Sequence, residues 1–108
     1  MKDGLYKVEF HTSEGRGSGV MHAVGGKMRG GNSGFAFIGS YSVDGDEIVA
    51  RVSTVRHTED PRFPPLLGTD RVTLVMRGRA SGDIVDFEGN PLQLPGVLLR
   101  AVFTPISD

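Results

Sequence analysis

Glycine occupies 16 of the 108 positions, about twice its usual share of roughly 7%. Each glycine in a helix interior costs about 1 kcal/mol relative to alanine, so this density works against long helices. In β structure the same residue is wanted at tight turns, at bulges and where two backbones approach closely. The glycines here fall between short runs in which apolar and polar residues alternate. That is the grammar of strands joined by turns.

Along the chain, Tyr6, Val8 and Phe10 alternate with Lys7, Glu9 and His11, which predicts a strand with one apolar face. Ser13 to Gly17 reads as a turn, and Gly19 to Val24 as a second strand. Gly25-Gly26 suits a tight hairpin, since both residues can take positive φ. Lys27 to Gly31 returns as a third strand. Phe35 to Val43 follows, with Phe35, Phe37, Gly39 and Tyr41 on one face, and Asp44-Gly45 is the strongest hairpin signal in the chain.

Glu47 to His57 fits two periods, because Ile48, Val52 and Val55 have helical spacing while Ile48, Ala50, Val52 and Thr54 alternate. Its β-branched residues decide for a strand. Thr58 to Gly68 carries Pro61, Pro64 and Pro65 and reads as the longest loop. Arg71 to Arg79 alternates again. Ser81-Gly82 turns it into Asp83 to Phe87, Gly89 to Gly96 forms a second loop, and Val97 to Phe103 is the last strand.

About eight short, evenly spaced strands predict an all-β domain spanning residues 1–108, a small closed antiparallel up-and-down barrel or a sandwich. Closure removes the exposed strand edges that invite aggregation. A barrel of eight strands is either just filled by its side chains or holds one small ligand.

Charge narrows the partners. Lys and Arg number 12 and Asp and Glu 13, so no basic excess is available for direct binding to nucleic-acid phosphates. Cysteine is absent, which excludes disulfides, thiol catalysis and cysteine-ligated metals. No apolar run is long enough for a membrane span or a signal-peptide core, so a cytoplasmic protein is expected.

Motifs for chemistry are weak. Gly15-Arg16-Gly17-Ser18-Gly19 lacks the third glycine and the following helix of a dinucleotide fingerprint, and Gly26-Lys27 is followed by Met28 rather than a hydroxyl residue. His11, His22 and His57 lie on separate strands, with no spacing that makes them converge on a metal. No Gly-x-Ser-x-Gly elbow exists, and the acids cluster in or beside turns, where solvated carboxylates are ordinary. No cofactor and no enzymatic activity are therefore expected. Arg77 and Arg79 are the arginines placed to form a small anion-facing patch.

The aromatic residues Tyr6, Phe10, Phe35, Phe37, Tyr41, Phe87 and Phe103 are spread over most strands. They are either simply the core or, with Tyr6, Val8, Phe10, Phe35, Phe37 and Tyr41 as its lining, the wall of a cavity for a small apolar ligand. Gly19, Gly39 and Gly78 leave space beside the rings.

The opening Lys2-Asp3-Gly4-Leu5-Tyr6 with Phe10 is followed by Gly17-Ser18-Gly19-Val20 and Gly26-Lys27-Met28-Arg29-Gly30-Gly31-Asn32. Gly39-Ser40-Tyr41 and Asp44-Gly45-Asp46-Glu47-Ile48 come next. This order resembles the GrlR-like family, small bacterial proteins named for a negative regulator of type III secretion, over about the first half of the chain. The resemblance implies a lipocalin-like closed barrel, usually a homodimer and without catalytic machinery. In the named member, an acidic stretch on a surface hairpin binds and sequesters a transcriptional activator, and the barrel is thought able to hold an apolar ligand. The matching residues here are Asp44, Asp46 and Glu47, with Gly45 interrupting the run. They point to a basic transcriptional activator as partner.

Overall fold

The computed structural model describes residues 1–65 and 67–108. Among the described residues there is no helix, and eight strands close into an antiparallel barrel in which each strand pairs with its sequence neighbours and β8 returns to β1. They are β1 Gly4–Thr12, β2 Gly15–Val24, β3 Lys27–Gly31, β4 Phe35–Asp44, β5 Glu47–Arg56, β6 Arg71–Ser81, β7 Ile84–Pro91 and β8 Leu99–Ser107. The barrel alternative is the one adopted, with an up-and-down order.

Several boundaries differ from the sequence expectation. The first turn is confined to Ser13-Glu14, tied by the Glu14 N–H donating to Thr12 Oγ1 at 3.1 Å, and Gly15 to Gly17 belong to β2. β7 continues through Gly89 to Pro91, where the pairing with β6 ends at Leu74 and a missing N–H costs no ladder bond. β8 begins at Leu99 and runs beyond Phe103 to Ser107, with a bulge against Leu5 and Tyr6 that admits Pro105. The Glu47 to His57 segment is a strand as far as Arg56, and it buries Ile48, Ala50 and Val52 on one face. The segment from Thr58 to Gly68 holds no strand or helix among its described residues; Leu66 lies outside them.

The alternation read from the sequence now has a cause. Tyr6, Val8 and Phe10 of β1 face Phe103 and Ala101 of β8, and the interior continues through Met21, Phe37, Val52, Leu74, Met76 and Phe87. No buried polar side chain interrupts this interior among the described residues. Phe103 stands at the centre, with ring centroids 5.1 Å from Phe87 and 5.9 Å from Tyr6. Edge-on contacts of this kind add about 0.5–1.5 kcal/mol to plain burial.

The two barrel ends differ. One carries the short turns Gly25-Gly26, Gly45-Asp46 and Gly82-Asp83 together with both ends of the chain. The other carries the Ser13-Glu14 turn, the β3–β4 turn and the two proline-containing loops.

Candidate functional site

The first candidate is the β4–β5 hairpin at the short-turn end. The two strands pair without interruption from Phe35 and Arg56 to Asp44 and Glu47, leaving Gly45-Asp46 as the turn. Gly45 has φ +61° and no non-glycine residue among the described ones has positive φ, the pattern of a type II′ turn with glycine in its first central position. The turn therefore lies one residue later than the expected Asp44-Gly45. Asp44 ends β4, while Gly82 at φ +62° repeats the device in the β6–β7 turn.

The three acids predicted to meet a partner are not equivalent. Asp44 and Asp46 are exposed. Glu47 is half-buried, and its Oε1 accepts a hydrogen bond from Arg77 Nη1 at 2.6 Å, which holds the guanidinium above its usual pKa. Glu47 is thus matched within its own barrel, and one of the Arg77 donors is taken up by it. Beside the two free acids, a shallow depression is lined by Met1, Val43, Ile48, Arg79 and Ala80. Val43 is 55% exposed. Sequence reasoning did not find Met1 or Val43, because only the barrel end brings the chain start beside this hairpin.

The second candidate is the other end of the barrel. Phe10, Phe35 and Phe37 surround a cavity of about 60 Å³, roofed by Pro64 and Leu67 of the long loop. Phe10 and Phe37 meet edge-on at 5.2 Å. Tyr6 and Val8, also predicted as lining, are buried deeper in the core, and Tyr41 lies toward the opposite end, its hydroxyl donating to Asp3 Oδ1 at 3.4 Å. Burial pushes the Tyr6 phenol pKa up, and its hydroxyl donates to the Lys2 carbonyl. The six residues are therefore split between the two halves of the barrel.

A polar lock holds the roof in place. Asp60 accepts from Arg62 Nε at 3.0 Å, Arg62 Nη2 at 2.7 Å, the Arg62 backbone N–H at 3.0 Å and Ser33 Oγ at 2.7 Å. These donors, the Arg62 guanidinium first, hold its carboxyl well below the usual carboxylate range. At the foot of the loop Arg56 donates to Asp70 at 2.8 Å and stacks over the Phe35 ring at 4.6 Å. Asn32 accepts from the Gly34 and Phe35 N–H groups and donates to the Ser18 carbonyl, while His57 Nε2 lies 3.0 Å from the Asn32 carbonyl. The prolines marked this loop in the sequence, but nothing local foretold where it would pack.

His11, His22 and His57 stay apart, and no group of three or more His, Cys, Asp or Glu comes together among the described residues. No helix of the described residues is long and apolar enough to cross a membrane. Among known proteins, no family model and no curated protein matches the chain.

Proposed function

We propose that this chain is a non-enzymatic cytoplasmic regulator of the GrlR-like type, a homodimer that sequesters a basic transcriptional activator by protein–protein contact without touching nucleic acid itself. The observation that carries the reading is the pair Asp44 and Asp46, exposed at a hairpin tip and without a cation partner among the described residues. The apolar rim beside them, Val43 and Met1, offers the burial that charge alone does not supply. The family resemblance supplies the class of partner.

The test is capture of a basic protein from the host at low salt, with Asp44→Ala/Asp46→Ala compared against Glu47→Ala. Capture by the wild type should weaken as salt screens the charges. It should fall at least about tenfold in the double variant, the size expected for losing exposed complementary charges, and change much less for Glu47→Ala. Unchanged capture by the double variant overturns the site.

A second reading rests on the cavity beneath Pro64 and Leu67: a small apolar-ligand carrier or sensor. Drug-sized ligands need about 300–1,000 Å³, so a cavity of about 60 Å³ suits only a very small apolar molecule with the roof in this position.

A further inference from the structure

The outer face of β2 to β5 collects basic side chains that no carboxylate neutralises. From Gly15 to Val43 the chain contains Arg16, His22, Lys27 and Arg29 and no aspartate or glutamate, although the molecule as a whole is acidic by one charge. The ladder sets His22 opposite Arg29 and Arg29 opposite Ile38; the next row runs Val24, Lys27, Ser40, Arg51. All of these side chains are exposed. With strands about 4.8 Å apart and alternate residues about 6.6 Å apart, His22, Lys27 and Arg29 form one tight group, with Arg51 across Ser40.

Basic residues elsewhere are often matched. Lys7, Arg56, Arg62, Arg77 and Arg100 each hold a carboxylate, whereas Lys27, Arg29 and Arg51 hold none among the described residues. The acids nearest in the ladder mark the borders of the face: Asp3, which accepts from the Gly25 N–H just beyond Val24, Glu9, opposite Ser18, and the pair Asp44 and Glu47, two rows beyond Ser40 and Arg51 at the hairpin end of β4 and β5.

We propose that this face docks an acidic polypeptide surface. Its apolar members decide the class of partner. Val20, Val24 and Ile38, 43%, 45% and 48% exposed, stand between the cations, so a complementary surface must present apolar side chains as well as carboxylates. A phosphodiester backbone offers charge alone, and single-stranded nucleic acid is held by aromatic platforms. No Phe or Tyr ring points outward from β2 to β5, since Phe35, Phe37 and Tyr41 all lie on the inner face. A second copy in two-fold contact would set Lys27 and Arg29 against their own like charges.

The experiment is an amide-shift titration of the full chain with a short peptide of repeating Glu-Glu-Leu. Oligothymidylate and phosphatidylserine-containing vesicles at the same salt serve as competing probes. Saturable shifts are expected at His22, Lys27, Arg29, Ile38, Ser40 and Arg51, with affinity falling as salt rises. Lys27→Glu/Arg29→Glu should weaken peptide binding about tenfold or more, while Arg71→Glu/Arg100→Glu, an equal charge change off the face, should leave it within about twofold. Thermal unfolding checks that both variants fold. Asp44→Ala/Asp46→Ala should leave this titration unchanged, which separates it from the activator-binding test. Equal losses in the two charge-reversed variants, no saturable shifts, or tighter binding of oligothymidylate or vesicles than of the peptide overturns the proposal.

Discussion

At the scale of single residues, the glycines in the interior have a more definite role than leaving room. A Cβ at Gly19 would lie 2.6 Å from Phe37 Cε2, and one at Gly78 would lie 2.6 Å from Phe87 Cδ1. Each aromatic ring therefore occupies the space its glycine leaves, so these positions are filled by another strand's side chain rather than left as ligand space. Gly78→Ala should destabilise the fold by about 1–3 kcal/mol, the usual cost of overpacking, read as a lower denaturant midpoint. A Cβ there would also lie 2.7 Å from the Asp86 carbonyl oxygen, so an unchanged midpoint would mean that both the Phe87 ring and the β7 backbone give way freely. The alternation of Phe35 and Phe37 was legible in the sequence. Which glycine each ring covers was not, because that depends on the register between β6 and β7 and on contacts across the barrel.

Among the elements, the hairpins were the most legible and the long loop the least. Gly25 and Gly26, both at positive φ, turn β2 into β3 as the residue types require. The loop after Arg56 is held by tertiary contacts instead, and Asp60 is the centre of them. Its carboxyl pKa is lowered on folding below the value of about 3.9 expected in the unfolded chain. The stability it contributes is therefore present above about pH 4 and fades as pH falls through and below that value. Asp60 ties the loop to Ser33 of the β3–β4 turn, so loss of its charge should free the roof before the barrel opens. Limited proteolysis between His57 and Asp70 should accelerate in Asp60→Asn at neutral pH, and in the wild type only on acidification. Equal cleavage of the two proteins at neutral pH would assign the lock to Arg56 and Asp70 rather than to Asp60.

For the whole molecule, closure between β1 and β8 is the decisive event. It joins the first and last strands of the chain, so it is the pairing of greatest sequence separation and the costliest to form by chance encounter. Phe103 sits at this seam between Tyr6 and Phe87, fully buried. Phe103→Ala should cost about 3–5 kcal/mol, a large part of the roughly 5–15 kcal/mol that holds a domain together. Denaturant unfolding measures it, and a loss below about 1 kcal/mol would show that the seam does not depend on this ring. The pairing of β2 to β6 sorts the charges. Two acids are left free at the Gly45-Asp46 tip, Glu47 is spent on Arg77, and the cations of β2, β3 and β5 are gathered on one side.

The sequence by itself determined the all-β class, the number of strands and most of the turns, because glycine φ preferences and period-two alternation act over a few residues. It also marked Asp44, Asp46 and Glu47 as the acidic hairpin. Only the tertiary structure decided that Glu47 pairs with Arg77, that Pro64 and Leu67 roof the interior, and that Arg51 comes beside His22, Lys27 and Arg29, which the Gly25-Gly26 hairpin already groups. Each of these depends on which strands lie side by side, and that follows from the closed register of the barrel rather than from any local run of residues.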